Sequence, residues 1–175
     1  PTSNVPLRAG KGWLYEGGIR EPMIIKWPGV VKPGSTCQEV VTSTDFYPTM
    51  LEMAYLPLRP RQHCDGLSLL PLLKRTGKLK REAVYWHYPH YSNQGCTPGG
   101  AVRAGDWKLI EFYEDMRVEL YNLADDISEK NDLAAKIPWK ADELRRMLHA
   151  WRKEVGAVMP KPNPNYGKPK PRKPK

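Results

Sequence analysis

The chain contains 175 residues, with 28 Lys and Arg against 19 Asp and Glu and a formal net charge of +9 at pH 7. Its 6 Trp and 9 Tyr supply large surfaces for burial, which excludes a chain that is disordered throughout. No apolar run approaches the roughly 18 residues of a membrane-spanning helix, so the sequence predicts no membrane span. The composition therefore indicates a folded chain that is long enough to bury a core.

The basic charge is concentrated at the C-terminus. Residues 160–175 contain six Lys or Arg, six Pro and no acidic residue, and without them 22 basic and 19 acidic residues remain. Because such a tail has nothing to bury, we expect residues 157–175 to be a disordered, basic, Pro-rich extension. Only Tyr166 is available there for stacking, so we expect no nucleic-acid partner. A sulfated polysaccharide is also a polyanion and would suit the charge of the tail as well as a nucleic acid would.

The first 80 residues combine a Gly-rich loop with short predicted elements. Four glycines fall within residues 10–18, a density that permits positive φ and a close approach of the backbone to a ligand or strand. Residues 23–27 are an apolar run closed by a Pro-Gly turn, which predicts a buried strand, and residues 39–41 predict a second one. Apolar residues at helical spacing predict a helix over 46–54 and one or two helical turns over 67–74.

From residue 82 the pattern changes to short strands joined by tight turns. Strand character is present over residues 83–88, 101–103, 107–113 and 118–121. The short connections favour an antiparallel meander, because neighbouring antiparallel strands can pair through local turns.

The last predicted element is a helix that begins near Pro138. Its apolar residues recur at i, i+4, i+7 and i+11, which places them on one face: Leu144, Leu148, Trp151 and Val155. We expect this face to pack against the sheet. The basic residues of the helix are expected to face solvent: Arg145, Arg146, Arg152 and Lys153.

Several segments, taken in order, resemble a known family. Residues 6–22, with the sequence PLRAGKGWLYEGGIREP, closely resemble a segment of the type I sulfatases. Five further segments follow in the order of that family: Trp27-Pro28-Gly29, 44–49, Asp65–Leu69, Ala101–Ile110 and Glu119–Leu123. Each is a weak signal alone, but together they make the chain similar to the C-terminal part of a formylglycine-dependent, arylsulfatase-like sulfatase of the alkaline phosphatase superfamily.

The resemblance implies an α/β, alkaline-phosphatase-like fold, of which the chain holds only the C-terminal portion. Residues 1–80 are expected to supply the end of the large mixed-sheet domain. Residues 81–156 are expected to form the small subdomain, an antiparallel sheet packed with the C-terminal helix, followed by the tail at 157–175. The N-terminal part of the same protein would then be the partner of this chain, and the parent protein is expected to be periplasmic or secreted.

The resemblance also implies that the parent protein hydrolyses sulfate esters, on a sulfated small molecule or a sulfated glycan. In type I sulfatases a Cys or Ser in a C-x-P-S-R type motif becomes formylglycine, which acts beside a divalent cation, here expected to be calcium. Cys37, Cys64 and Cys96 each precede a different sequence, and the family's cation ligands lie upstream of this segment. We therefore expect the formylglycine and the cation upstream, no metal site within this chain, and no turnover by the chain alone.

Lys11 matches the lysine of that family that contacts the sulfate. An ammonium between Gly10 and Gly12 can approach a sulfate without steric obstruction, and a fixed positive charge there would stabilise charge that gathers on the leaving oxygen. The alternative is a lysine in a flexible surface loop.

His87 and His90 are the next candidates, because family members commonly line the substrate pocket with this region. The alternatives are a packed, hydrogen-bonded aromatic cluster and a His-x-x-His metal site, for which no third ligand is evident nearby. Arg103 is a further candidate for orienting an anionic substrate, although in the family segment it more often has a structural role.

Acidic residues elsewhere are expected to be scaffold. Glu16 and Arg20 lie four residues apart and are expected to pair within the Gly-rich loop. Asp125, Asp126 and Glu129 suggest either a cation site or a solvated acidic loop, and we favour the loop.

Two other functions remain open at this point. The parent protein could hydrolyse phosphate mono- or diesters, because sulfate and phosphate sites share this scaffold. The chain could instead be a non-catalytic module that binds anionic glycans through its aromatic patch and basic tail.

Overall fold

The computed structural model describes residues 3–164 and 166, which form two compact units. One unit combines the described residues up to Glu21 with those from Glu82 onward, and the other is Pro22–Arg81. The Gly-rich N-terminal segment therefore folds with the C-terminal sheet rather than with the residues that follow it. The assignment of residues 1–80 and 81–156 to two sulfatase domains stays a prediction. Most of the expected disordered tail, residues 165 and 167–175, lies outside the described residues.

The first unit is built on a four-stranded antiparallel sheet in the order β1-β2-β3-β4. Its strands are β1 Val84–Tyr88, β2 Gly99–Ala104, β3 Trp107–Phe112 and β4 Val118–Asn122. Strands that are adjacent in the sequence are also adjacent in the sheet, so the predicted meander is confirmed. The short connections after β2 and β3 favour local pairing, whereas residues 89–98 form a longer loop between β1 and β2.

Helix α4, Pro138–Glu154, covers one face of this sheet. Its apolar stripe packs on Val102, Leu109 and Leu120, which the strand register places side by side. Leu144 and Leu148 are 1% and 0% exposed, as predicted. Val155 is an exception, because it lies beyond the end of the helix and is 51% exposed. Among the described residues, no helix combines the length and apolar character that crossing a bilayer requires.

The N-terminal segment covers the other face of the sheet. Leu14 and Tyr15 are buried there, and they precede a short helix, α1 Glu16–Ile19. The cluster they join contains Ala101, Ile110, Phe112, Tyr121 and Leu123. Because both faces are covered, the central strands bury side chains in both directions. This arrangement fixes the Gly-rich segment to the sheet.

The second unit, Pro22–Arg81, holds the helices α2 Phe46–Met53 and α3 Leu70–Leu73. Both confirm helical predictions. Asp45, which is 0% exposed, connects its parts by accepting hydrogen bonds from the Leu67 N–H at 2.9 Å and from the Arg81 guanidinium. Burial opposes ionisation of Asp45, but these hydrogen bonds outweigh it and lower the pKa of the carboxyl.

The two strands predicted in this unit are wrong. Residues 23–27 and 39–41 are extended or irregular and pair with no other strand, and Ile24 is 95% exposed. A strand forms only against a neighbour that accepts its backbone hydrogen bonds. No segment of the fully described range 22–81 is a strand, so the apolar run has nothing to pair with.

Glu111 of β3 gathers basic residues from α4 on the helix-covered face. Its buried carboxylate accepts hydrogen bonds from Arg145 Nε at 2.6 Å and His149 Nε2 at 2.8 Å, and Arg152 lies 2.8 Å away. The prediction that Arg152 faces solvent is therefore wrong, because the guanidinium turns inward to neutralise Glu111. Burial opposes ionisation of Glu111, but the hydrogen bonds from His149 and Arg145 and the Arg152 charge prevail and lower its pKa.

This shift predicts how stability depends on pH. A carboxyl with a lowered pKa in the folded state stabilises the fold above its ordinary pKa of about 4.3, and the contribution is lost as the pH falls further. We expect Glu111→Gln to lower the free energy of unfolding at pH 7 by about 2 kcal/mol. The variant should then lose less stability than the wild type between pH 5 and about pH 3. Urea unfolding at several pH values measures both, with Glu143→Gln on the outer side of α4 as control. Parallel pH curves for Glu111→Gln and wild type would contradict the assignment.

Candidate functional site

The loop that carries Lys11 folds back onto α1. The N–H of Gly17 donates to the carbonyl of Arg8 at 2.9 Å, and Asn4 Nδ2 donates to the carbonyl of Gly17 at 2.6 Å. A Cβ at Gly17 would clash with the carbonyl oxygens of Arg8 and Ala9. The glycine is therefore required for close backbone approach within the chain itself, and the loop is compact.

Lys11 stands at the outside of this loop. Its side chain is exposed and makes no hydrogen bond or ion pair with any described residue, so the ammonium is available to a ligand. Gly12 has φ +88° and leaves no room for a Cβ beside Ser92. Trp13 Nε1 donates to the carbonyl of Gln94 at 3.1 Å. The structure thus brings Lys11 beside the loop that follows His90.

His87 is engaged in a packed aromatic cluster. Its Nδ1 lies 2.7 Å from the Tyr113 hydroxyl and its Nε2 lies 3.0 Å from the carbonyl of Val158. A carbonyl only accepts, so Nε2 donates to Val158, and in the neutral ring Nδ1 accepts from Tyr113. Tyr85, two residues earlier, stacks on Trp151 of α4, so alternation along β1 places His87 on the helix-covered face.

The candidate histidines therefore differ in their relation to Lys11. The His87 ring and the Lys11 loop lie on opposite faces of the sheet. His90 is exposed, packs edge-on against Tyr88 with ring centroids 5.5 Å apart, and belongs to the loop that approaches Lys11. A role in substrate binding stays a prediction for both.

Arg103 faces inward from β2. Its guanidinium lies 3.5 Å from Glu16 Oε2, and its Nε donates to the carbonyl of Gly105 at 3.1 Å. Arg20 reaches the same Glu16 oxygen at 3.6 Å, as predicted for the Glu16–Arg20 pair. The contacts of Arg103 are thus with the scaffold of the Lys11 loop, and a direct contact with substrate stays a prediction.

A buried ion cluster lies beneath the loop and is formed by Glu16, Lys108 and Glu129. The sequence did not predict it. Lys108 Nζ lies 3.0 Å from Glu16 Oε1 and 2.8 Å from Glu129 Oε1, and Lys108 and Glu129 are 0% exposed. Glu129 Oε2 accepts the backbone N–H of Glu16 at 2.6 Å. The placement of Glu129 in a solvated acidic loop is therefore wrong. Burial raises its pKa although the Lys108 charge opposes the shift.

A second set of contacts holds the other end of the loop. Arg8 lies over the Tyr15 ring at 3.8 Å and donates to the Tyr121 hydroxyl at 2.9 Å and to the carbonyl of Glu129 at 2.8 Å. The hydroxyls of Tyr15 and Tyr121 both donate to Glu119 Oε2 at 2.8 Å. Burial opposes ionisation of Glu119, but these hydrogen bonds prevail and lower its pKa.

Comparison with known proteins identifies the family. The model of the family described as N-sulphoglucosamine sulphohydrolase, C-terminal, matches residues 9–155. The chain belongs to this family, and its fold is that of the C-terminal portion of alkaline-phosphatase-like sulfatases. The resemblance to the C-terminal part of a sulfatase and the fold class, both predicted from the sequence, are therefore confirmed.

Curated relatives are similar to this chain over only part of their own length. A sulfatase of Formosa agariphila is 40% identical over 86% of this chain and 30% of the relative. Human arylsulfatase A is 44% identical over 61% of this chain and 20% of the relative. The chain thus spans about a third or less of these relatives.

Two solved structures support the same fold. BT4656, solved in complex with its substrate D-glucosamine-2-N,6-O-disulfate, is 32% identical with a TM-score of 0.65, over 76% of this chain and 28% of that one. Ps i-CgsB, solved in complex with k-i-k-neocarrahexaose, is 29% identical with a TM-score of 0.73, over 85% of this chain and 32% of that one.

Proposed function

We propose that this chain is the C-terminal part of a longer sulfatase that hydrolyses sulfate esters, and that Lys11 binds the sulfate group. The observation that carries the proposal is the exposed Lys11 ammonium, which has no partner among the described residues and lies on a loop that is itself held by buried contacts. Curated relatives named as sulfatases support the reaction class.

The role of Lys11 follows from its charge and its placement. A sulfate ester presents anionic oxygens to the ammonium, which donates hydrogen bonds to them. As the bond between sulfur and the leaving oxygen breaks, negative charge increases on the atoms near Lys11. A positive charge that is already in position stabilises this state more than the ground state, because little reorganisation is needed.

The nucleophile and the cation are proposed to come from the rest of the longer protein. Within the described residues, no three His, Cys, Asp or Glu side chains lie close enough together to hold a metal ion. The residues present therefore do not fit a cation site, and none of the three cysteines has the sequence context for formylglycine. We propose that formylglycine and a divalent cation, calcium, are both supplied upstream, and that the longer protein is periplasmic or secreted.

We propose a sulfated small molecule or a sulfated glycan as the substrate. The disulfated glucosamine bound by BT4656 supports this class. His90, in the loop beside Lys11, is the candidate for lining the pocket, and His87 and Arg103 would act from further away. No observation favours the phosphate-ester or the non-catalytic alternative.

The test compares two esters and two proteins. The longer protein, carrying formylglycine and assayed with calcium, should hydrolyse 4-nitrophenyl sulfate. Its kcat/KM for this ester should be at least tenfold above that for 4-nitrophenyl phosphate. The 175-residue chain alone should show no turnover with calcium present. A preference for the phosphate, or catalytic release of nitrophenol by the chain alone, would overturn the proposal.

A further inference from the structure

We propose that Glu129 and Lys108 are positioning residues for Lys11, which fix the loop that presents its ammonium to the sulfate. The inference rests on the proposed function of Lys11. Both residues are 0% exposed and so are inaccessible to a ligand, which means that each acts only through the loop.

Glu16 is held by both Lys108 and Glu129. Lys108 and Glu129 are fully buried, and Glu16 is 1% exposed, so each charge depends on the other two for compensation. The hydrogen bond from the backbone N–H of Glu16 to Glu129 Oε2 also fixes the main chain at the start of α1. Both the side chain and the backbone of Glu16 are thereby held.

The two glycines after Glu16 connect it to the loop. Gly17 directly follows Glu16, and it packs against the carbonyls of Arg8 and Ala9 without room for a Cβ. Gly18 packs as closely against the carbonyl of Gly10. A displacement of Glu16 therefore moves the residues that immediately precede Lys11, because interiors packed at this density transmit strain.

Glu129 holds the chain on both sides of Lys11. The side chain of Glu129 accepts from the N–H of Glu16 after Lys11, and its backbone carbonyl accepts from Arg8 before Lys11. Lys108, from β3, ties this residue to the centre of the sheet. Loss of the Glu129 contacts would therefore displace the Lys11 ammonium without changing its chemistry.

The experiment uses Glu129→Gln in the longer protein, with Glu111→Gln as matched control. Both substitutions neutralise a buried carboxylate in an ion cluster, but Glu111 lies on the helix-covered face and has no contact with the loop. We expect Glu129→Gln to lower kcat/KM for 4-nitrophenyl sulfate by about tenfold or more, because small misplacements of a catalytic group are costly. Glu111→Gln should change kcat/KM less than twofold, with both variants assayed well below their unfolding temperatures.

A double-mutant cycle with Lys11→Ala separates positioning from a general structural effect. If Glu129 acts through Lys11, Glu129→Gln should change kcat/KM less than twofold once Lys11 is absent. An equal loss in both backgrounds would overturn the positioning role and leave the proposed function intact. An unchanged kcat/KM for Lys11→Ala alone would overturn the proposed function instead.

Arg8→Met provides the second variant if Glu129→Gln does not fold. The Arg8 side chain is 40% exposed, so its replacement is better tolerated. The substitution removes the hydrogen bonds to Glu129 and Tyr121 and the contact with the Tyr15 ring. We expect a loss of kcat/KM of about threefold to tenfold that disappears in the Lys11→Ala background. A persistent loss in that background, or no loss at all, would contradict the inference.

Discussion

Replacing Lys11 with alanine in the longer protein is expected to lower kcat/KM for an aryl sulfate by roughly a hundredfold or more. Removal of a single preorganised group that stabilises transition-state charge has an effect of this size, and most of it should appear in kcat. The substitution leaves folding unaffected because the Lys11 side chain is exposed and unpartnered among the described residues. Steady-state kinetics and thermal unfolding of the same preparations measure both effects.

Lys153→Ala is the matched control for this prediction. Lys153 is also an exposed lysine, so its removal changes the net charge equally, but it lies on α4 at the opposite face of the sheet. Its kcat/KM should stay within twofold of the wild type. Lys11→Arg retains the charge on a bulkier group and should recover part of the lost rate. If Lys11→Ala and Lys153→Ala behave alike, Lys11 does not bind the sulfate.

The second large effect is expected from Gly17→Ala, which inserts a methyl group between α1 and the loop. The new Cβ would overlap the backbone carbonyls of Arg8 and Ala9, which cannot rotate away as a flexible side chain would. We expect a loss of about 3 kcal/mol or more in the free energy of unfolding of the first unit. Because the loop must move to relieve the overlap, kcat/KM of the longer protein should also fall by about tenfold or more.

Gly10→Ala in the same loop is the control. A Cβ at Gly10 has only Asn4 Nδ2 nearby, at an ordinary contact distance of 3.6 Å, so alanine fits. Its stability should stay within about 1 kcal/mol of the wild type. Urea unfolding monitored by Trp fluorescence compares the pair. Equal stabilities for the two variants would show that the close approach at Gly17 is not required.

The sheet and α4 could be predicted because their signals are local. Tight turns specify which strands pair, and the spacing of Leu144 and Leu148 identifies the buried face of the helix. The run at residues 23–27 has an equally clear apolar pattern, but no strand in the described part of the chain pairs with it. A local apolar pattern therefore predicted the strands of the first unit correctly but predicted a strand at residues 23–27 of the second unit wrongly.

The buried ion cluster could not be predicted from pattern alone. Lys108 and Glu129 are charged, and charged residues are rarely fully buried unless they are paired. The partner of each is remote: Glu16 lies 113 residues from Glu129 and 92 from Lys108. The signal that was present is the alternation along β3, where Lys108 and Ile110 share the face that the N-terminal segment covers. Burial of Lys108 could have been predicted only if it were known that both faces of the sheet are covered.

Lys11 could be predicted from a family motif, whereas the surroundings of the two histidines depend on the tertiary structure. Lys11 was identified by its motif, in which the structure explains Gly17 and Gly18 by close backbone approach. The different positions of His87 and His90 relative to Lys11 depend on the direction of β1 and on which face α4 covers. Neither can be deduced from the spacing of two histidines, because one lies within a strand and the other beyond its end.

The support of the Lys11 loop by Glu129 has a consequence for synthesis on the ribosome. Glu16, at the end of the loop, leaves the ribosome before its anchor Glu129, which lies 113 residues further along the chain. Until then the nascent polypeptide carries the lysine on an unanchored segment, since long-range contacts form only after the intervening chain is made. The Lys11 loop therefore cannot be anchored until residue 129 has been synthesised, and a translation product that stops before residue 129 would lack the anchor.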